Sequence, residues 1–177
     1  MTCKIIAEIG INHNGSTDIA KKLINTANAA GCDYVKFQKR CPELCVPKHQ
    51  MNELRETPWG RLTYLDYRRK IEFGKDEYDQ IAFHCEKEKI PWFASVWDDE
   101  SIEFMSNYTD ITKIPSAHIT NHSLCKKARQ SNTELLLSTG MSTEDEVENA
   151  INNCNPDVIF HTNSTYPCPV DKLNLSY

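Results

Sequence analysis

Tyr34-Val35-Lys36-Phe37-Gln38 is short, rich in aromatic and β-branched residues, and ends on a polar side chain. That is the composition and length of a strand. Side chains alternate along a strand, so Lys36 and Gln38 share one face. Similar runs occupy 4–9, 92–96, 111–116, 135–139 and 158–162. Both faces of these runs read apolar, which points to buried parallel strands instead of half-wetted antiparallel ones.

Between the runs the apolar spacing becomes helical. After Ser16 as N-cap, Ile19, Leu23, Ile24 and Ala27 recur, and Gly31 closes the segment. Residues 76–89 carry Tyr78, Ile81, Ala82 and Cys85 on one face. Shorter helices fit 100–107, 123–132 and 143–154. The last opens with Glu144, Asp145 and Glu146, where the helix dipole favours anions. Residues 39–74 show neither rhythm. With Pro42, Pro47, Pro58 and several aromatics they read as a long excursion, a feature that is functional more often than not. Its Trp59, Tyr64, Tyr67, Arg61, Arg68 and Arg69 are expected to form part of a ligand site or its lid.

Strand and helix alternate six times, which implies an α/β fold with a parallel sheet. A doubly wound sheet could be complete in 177 residues, whereas a (β/α)8 barrel needs roughly 200–250. No glycine-rich phosphate loop of the dinucleotide or P-loop type is present. Six units in this length look like three-quarters of a barrel. The expected fold is therefore a (β/α)8 TIM-type barrel with only about six of its eight βα units in this chain. No linker or internal repeat divides it.

The chain has 177 residues, with 20 Lys and Arg against 25 Asp and Glu, for a net charge of −5. An acidic chain without a basic cluster is a poor partner for nucleic acid. No apolar run nears the ~18 residues of a membrane span, and Glu8 interrupts any leader-like start. The expectation is a cytoplasmic protein without nucleic-acid or membrane partners. Any anionic ligand must be held by local cations. Of the eight cysteines only Cys41 and Cys45 are close in sequence, so scattered thiols are expected instead of a cysteine-ligated metal.

The informative residues are polar groups inside or just after the apolar runs. They are Glu8; Lys36 and Gln38; Lys113 and Ser116; Ser138 and Thr139; and Ser164 and Tyr166. A charge inside a barrel strand costs several kcal/mol unless it is paired or binds something charged. Glu8 and Lys36 could be no more than a buried ion pair. Yet five of the six strands place a Glu, Lys, Gln or Ser near the carboxyl end, where barrel active sites lie. Two lysines, several hydroxyls and one carboxylate suit a phosphorylated or carboxylated ligand plus one acid/base group. His13 follows the first strand and could face the same site, while His118, His122 and His161 read equally well as loop or core histidines.

Ala7-Glu8-Ile9-Gly10-Ile11-Asn12-His13-Asn14-Gly15, Val35-Lys36-Phe37-Gln38, Lys113-Ile114-Pro115-Ser116, Leu137-Ser138-Thr139-Gly140-Met141 and His161 with Thr165-Tyr166-Pro167 together resemble the N-acetylneuraminate (sialic acid) synthases. Order and approximate spacing agree across essentially the whole chain. The resemblance implies a transferase that condenses phosphoenolpyruvate with N-acetylmannosamine, its 6-phosphate or a related amino sugar in sialic acid biosynthesis. It implies that Lys113, Ser116 and Ser138 cradle the phosphate, and that Lys36 neutralises the carboxylate or developing charge. Glu8 would position the acceptor or transfer a proton, Gln38 and Tyr166 would contact the amino sugar, and Ser164 would lie near phosphoenolpyruvate. The expected catalytic pair is thus Glu8 and Lys36. A divalent metal (Mn or Mg) is implied for the complete enzyme, with its ligands beyond residue 177, and a homodimer is implied as its assembly.

Two local departures and one large one accompany the likeness. Where the family often has a threonine at the third strand's end, this chain reads Ala94-Ser95-Val96-Trp97, so Val96 donates no hydrogen bond to phosphate. Two residues after Ser116, where some members carry a carboxylate, this chain has His118. Residues 1–177 are expected to be a C-terminally incomplete barrel domain without the family's antifreeze-like domain, and inactive alone. Two rival readings stay open: a Schiff-base aldolase with Lys36 or Lys113 as nucleophile, and a non-catalytic sugar- or phosphate-binding fragment.

Overall fold

Six parallel strands form one sheet in the order β1 (Ile6–Gly10), β2 (Tyr34–Lys39), β5 (Trp92–Val96), β6 (Ile111–Ile114), β7 (Glu134–Ser138) and β8 (Val158–Phe160). The computed structural model describes residues 3–131 and 133–175. Numbering is in chain order, because a small antiparallel hairpin, β3 (Leu54–Thr57) and β4 (Gly60–Thr63), intervenes. The large sheet curls into a parallel half-barrel. Among the described residues β1 pairs only with β2, and β8 only with β7.

Helices α1 (Thr17–Ala29), α4 (Lys75–Glu88), α5 (Asp99–Met105), α6 (His122–Gln130) and α7 (Glu144–Cys154) follow the strands. Local chemistry sets their starts. Ser16, Asp98, Asn121 and Thr143 each accept a hydrogen bond from a backbone N–H of the first turn. At Thr143 the Glu146 carboxylate also reaches back to the Thr143 N–H, which satisfies two otherwise orphaned donors. The expected helices agree with these to within a residue or two, and the expected end at Asn132 lies outside the described residues.

The excursion differs from expectation. Residues 39–74 hold α2 (Pro42–Cys45), the β3–β4 hairpin and α3 (Tyr64–Ile71), capped by Thr63 on the Asp66 N–H. A one-turn helix, a two-turn helix and two four-residue strands are involved, each too short for a periodic signal.

The strand pleat sorts the side chains into two layers. Val35, Phe37, Trp92, Ala94, Val96, Ile114, Leu135 and Leu137 pack with Ile24, Tyr78, Ile81, Leu124 and Ala150 of the helices. The alternate set faces the concave side. Tyr34 and Phe93 meet edge to face there at 6.0 Å, nearer the amino ends. Glu8, Lys36, Ser95, Lys113 and Ser138 follow toward the carboxyl ends. Apolar side chains fill the lower layer, and the upper layer is left polar.

Candidate active site at the carboxyl ends of the strands

A cavity of about 580 Å³ opens over that upper layer. Glu8, Lys36, Gln38 and Lys113 line it, as do Ser116, Ser138, Ser164 and Tyr166. The strand register brings them together: Glu8 lies opposite Lys36, Gln38 opposite Ser95, and Ser95 opposite Lys113.

Lys36 Nζ sits 2.5 Å from Glu8 Oε2 and donates to Ser95 Oγ at 3.0 Å. Glu8 Oε1 accepts from Gln38 Nε2 at 3.4 Å. The β1 register shifts between Glu8 and Gly10, and Gly10 takes φ +56°. A Cβ at Gly10 would lie 2.9 Å from Glu8 Oε1, so the glycine serves both the backbone turn and the carboxylate.

Lys113 is buried, and its Nζ donates to Ser138 Oγ at 2.5 Å. The ammonium also lies 5.3 Å over the Phe160 ring. Burial, reinforced by the nearby Lys36 charge and opposed by Glu8, lowers its pKa to about 8. A buried ammonium beside a second ammonium gains most from an added anion.

Across the cavity Ser116 Oγ accepts from the Gly140 N–H at 3.0 Å. A Cβ on Gly140 would come within 2.5 Å of Ser164 Oγ and 3.0 Å of Ser116 Oγ. Only a glycine lets the two hydroxyls close on this backbone. Met141 follows at φ +63°, a strained conformation on the cavity wall. Tyr166 is mostly exposed at the rim.

Some wall residues are not singled out by the sequence as site residues. Ser95, Trp97 and Thr162 also line the cavity. Ser95 was legible, since the alternation that aims Lys36 and Gln38 inward also aims the residue opposite Gln38. Val96, the position compared with the family's threonine, points instead into the helix-facing core. Trp97 and Thr162 lie past the strand ends, where no periodicity applies.

Other expectations are corrected. His13 does not face the cavity. It is buried against Phe73 with ring centroids 3.9 Å apart, its Nδ1 accepts from the Gly15 N–H, and burial lowers its pKa to about 4. His118 meets Trp97 edge to face at 5.2 Å, and His161 Nε2 donates to the Leu173 carbonyl. The aromatic and cationic residues of the excursion do not line the cavity either. The Arg55 guanidinium lies 3.5 Å over Tyr64, and Lys70 lies 5.0 Å over Trp59. That cluster satisfies itself.

The divalent metal implied by the resemblance needs a convergent donor set. Among the described residues no three His, Cys, Asp or Glu side chains come together to hold an ion. Glu8 is engaged with Lys36 and Gln38, and His13, His118 and His161 find their partners elsewhere, so these residues do not fit a resident metal.

Polar side chains from successive parallel strands, gathered at their carboxyl ends around one cavity, define a barrel-type α/β protein with a candidate ligand site on that face. The chain belongs to the NeuB family, which matches residues 23–177. It is 36% identical over 171 residues to an N-acetylneuraminate-9-phosphate synthase of Drosophila melanogaster, covering 92% of this chain and 46% of the relative. It is 33% identical over 182 residues to the N,N'-diacetyllegionaminic acid synthase of Campylobacter jejuni, covering 97% and 54%. The crystal structure of an N-acetylneuraminic acid (sialic acid) synthetase from Leptospira borgpetersenii, in complex with citrate, superposes with a TM-score of 0.84. It is 27% identical and covers 97% of this chain and 58% of that one. The chain spans about half the length of the curated relatives it matches. No helix among the described residues is long and apolar enough to cross a membrane.

Proposed function

We propose that this cavity is the phosphoenolpyruvate-binding half of a nonulosonate synthase site, which joins phosphoenolpyruvate to N-acetylmannosamine, its 6-phosphate or a related amino sugar. The observation that carries the reading is the convergence of two lysines, one carboxylate and four serines on one face. Lys113, Ser116 and Ser138 hold the phosphate, with the Gly140 N–H fixing the Ser116 hydroxyl. Lys36 holds the carboxylate, and Ser164 lies beside it. Glu8 orients the acceptor or carries a proton, and Gln38 and Tyr166 contact the amino sugar.

In the reaction, carbon 3 of phosphoenolpyruvate forms a bond to the acceptor's aldehyde carbon, and the carbonyl oxygen takes a proton. Water adds at carbon 2, and phosphate leaves with the bridging oxygen. The lysine ammoniums stabilise negative charge along this course. Residues 1–177 are read as about six units of an eight-unit barrel. The Mn or Mg implied by the resemblance draws its ligands from outside these residues. The complete enzyme is read as a cytoplasmic homodimer, and the 177-residue chain alone as unable to complete the condensation.

The test follows phosphate by 31P NMR. Phosphoenolpyruvate should bind the 177-residue chain and shift the Lys36 and Lys113 side-chain signals. Turnover with N-acetylmannosamine and bridge-labelled 18O-phosphoenolpyruvate by an enzyme containing this barrel should release labelled phosphate. Unlabelled phosphate, or lysine signals unmoved by phosphoenolpyruvate, would sink the reading. One observation favours a second: a buried lysine with its pKa lowered to about 8 also suits imine formation. Borohydride with pyruvate separates the two, since only an aldolase would be trapped as a covalent adduct at Lys113.

A further inference from the structure

Gln38 lies between a group that can only donate and a group that can only accept. On one side the Arg40 guanidinium donates through Nη2 to Gln38 Oε1, and on the other Gln38 Nε2 donates to Glu8 Oε1 at 3.4 Å. Turning the amide over would set its NH2 against the guanidinium and its oxygen against the carboxylate, losing both contacts. Arg40 is itself held fast. It is 5% exposed, its guanidinium stacks 4.1 Å from the Trp97 ring, and its backbone N–H donates to Glu72 Oε1 at 2.9 Å. Its Nε is buried without a hydrogen-bond partner, 3.8 Å from Glu72 Oε2. A planar fork wedged between a wall tryptophan and a buried carboxylate has little freedom to swing.

We propose that Arg40 is a positioning residue that locks the Gln38 amide with its N–H groups toward Glu8 and the cavity, so that this wall receives a hydrogen-bond acceptor, such as an acyl carbonyl, from the sugar. The statement about the sugar rests on the synthase reading, whereas the orientation of the amide does not. Glu8 uses one of the two amide hydrogens, and the other is left for a ligand. An arginine that never enters the cavity thereby sets the polarity of one of its walls and, through Trp97, the position of another.

NMR of the 15N-labelled 177-residue chain tests this without substrate. The Gln38 side-chain NH2, assigned by its loss in Gln38→Glu, should show a cross-peak to the Gly10 Hα protons. Gly10 is the near neighbour of Nε2, where a Cβ would sit 3.6 Å away. Arg40→Lys keeps a cation beside Glu72 but lacks the fork, and should raise the exchange rate of the Gln38 NH2 at least about tenfold. Its backbone spectrum and that of the buried Tyr78 ring should be unchanged. A wild-type chain without the Gly10 cross-peak overturns the orientation even where Arg40→Lys does not fold. A folded Arg40→Lys with unaltered Gln38 exchange overturns the role of Arg40.

A second arm adds phosphoenolpyruvate with N-acetylmannosamine or mannosamine, the latter lacking the acyl carbonyl. Only the N-acetyl sugar should move the Gln38 NH2 signal. Equal shifts from both, or none while the lysines respond to phosphoenolpyruvate, overturn the inference and leave the synthase reading standing. Lysines silent to phosphoenolpyruvate sink that reading and the sugar assignment with it, and the sugar-free measurements then decide the role of Arg40.

Discussion

Lys113 Nζ donates to Ser138 Oγ across neighbouring strands at 2.5 Å, although the residue opposite Lys113 in the ladder is Leu136. The lysine side chain therefore runs two residues' worth along the sheet, toward the carboxyl ends, before it meets a partner. Its ammonium ends in the cavity, 5.3 Å over the Phe160 ring. A buried ammonium with one neutral partner and a second ammonium nearby is an incomplete arrangement, and an anion completes it.

Replacing the ammonium should therefore cost binding directly. A hydrogen bond to a charged group contributes about 1.5–3 kcal/mol, so Lys113→Ala should weaken phosphoenolpyruvate binding roughly 10- to 150-fold. Titration calorimetry of the 177-residue chain reads this, and unchanged affinity would remove Lys113 from the phosphate site.

The same lysine sets a pH dependence. Its pKa lies near 8 in the folded chain, below the ordinary 10.5, so between those values the unfolded chain binds more protons. Stability should rise as pH climbs from about 8 toward 10.5. An anion reverses the preference by favouring the charged form. Phosphoenolpyruvate affinity should fall as pH rises through about 8, with proton uptake on binding at pH 9. Calorimetry in buffers of different ionisation enthalpy reads the proton, and a heat independent of buffer would contradict this.

His13 predicts the opposite end of the scale. Its folded pKa is about 4 against an ordinary 6.5, so the unfolded chain protonates first as pH falls. Stability is lost between about pH 6.5 and 4, by ~3 kcal/mol at most. Urea midpoints across that range should fall less steeply in His13→Phe than in the wild type; parallel profiles would argue against a buried neutral imidazole.

Gly140 should tolerate no side chain. In Gly140→Ala the new Cβ would meet the hydroxyls of Ser164 and Ser116, which must then separate. The expected outcome is loss of phosphoenolpyruvate binding with a destabilisation of about 1–3 kcal/mol, typical of overpacking. Retained affinity would show that the Ser116 hydroxyl need not close on the Gly140 N–H.

The excursion offers a contrast. Trp59 packs with Tyr67 and Lys70 and stands away from the cavity wall. Trp59→Ala should leave phosphoenolpyruvate affinity within about twofold, a surface-type change. A larger loss would restore the excursion to the ligand site as a lid.

The sequence alone determined the order of strands and helices and which residues stand at the strand ends. Both follow from local rules: the two-residue pleat puts Lys36 and Gln38 on one face, and Ser16 and Thr143 cap helices through their own first turns. Those rules also placed Glu8, Lys113, Ser116 and Ser138 at one end of the sheet, since parallel strands share a direction. They failed where the elements were too short to be periodic, as in residues 39–74. Tertiary structure alone decided the chemistry of the site. The titration of Lys113 depends on Lys36, 77 positions away, and on how much water the packed sheet excludes. The direction of the Gln38 amide depends on which side chains close around it, and His13 was drawn from the cavity into the core by Phe73. A residue's position in a strand is set by its neighbours along the chain, but its charge state and its hydrogen-bond polarity are set by neighbours across the fold, which only strand register and packing bring within reach.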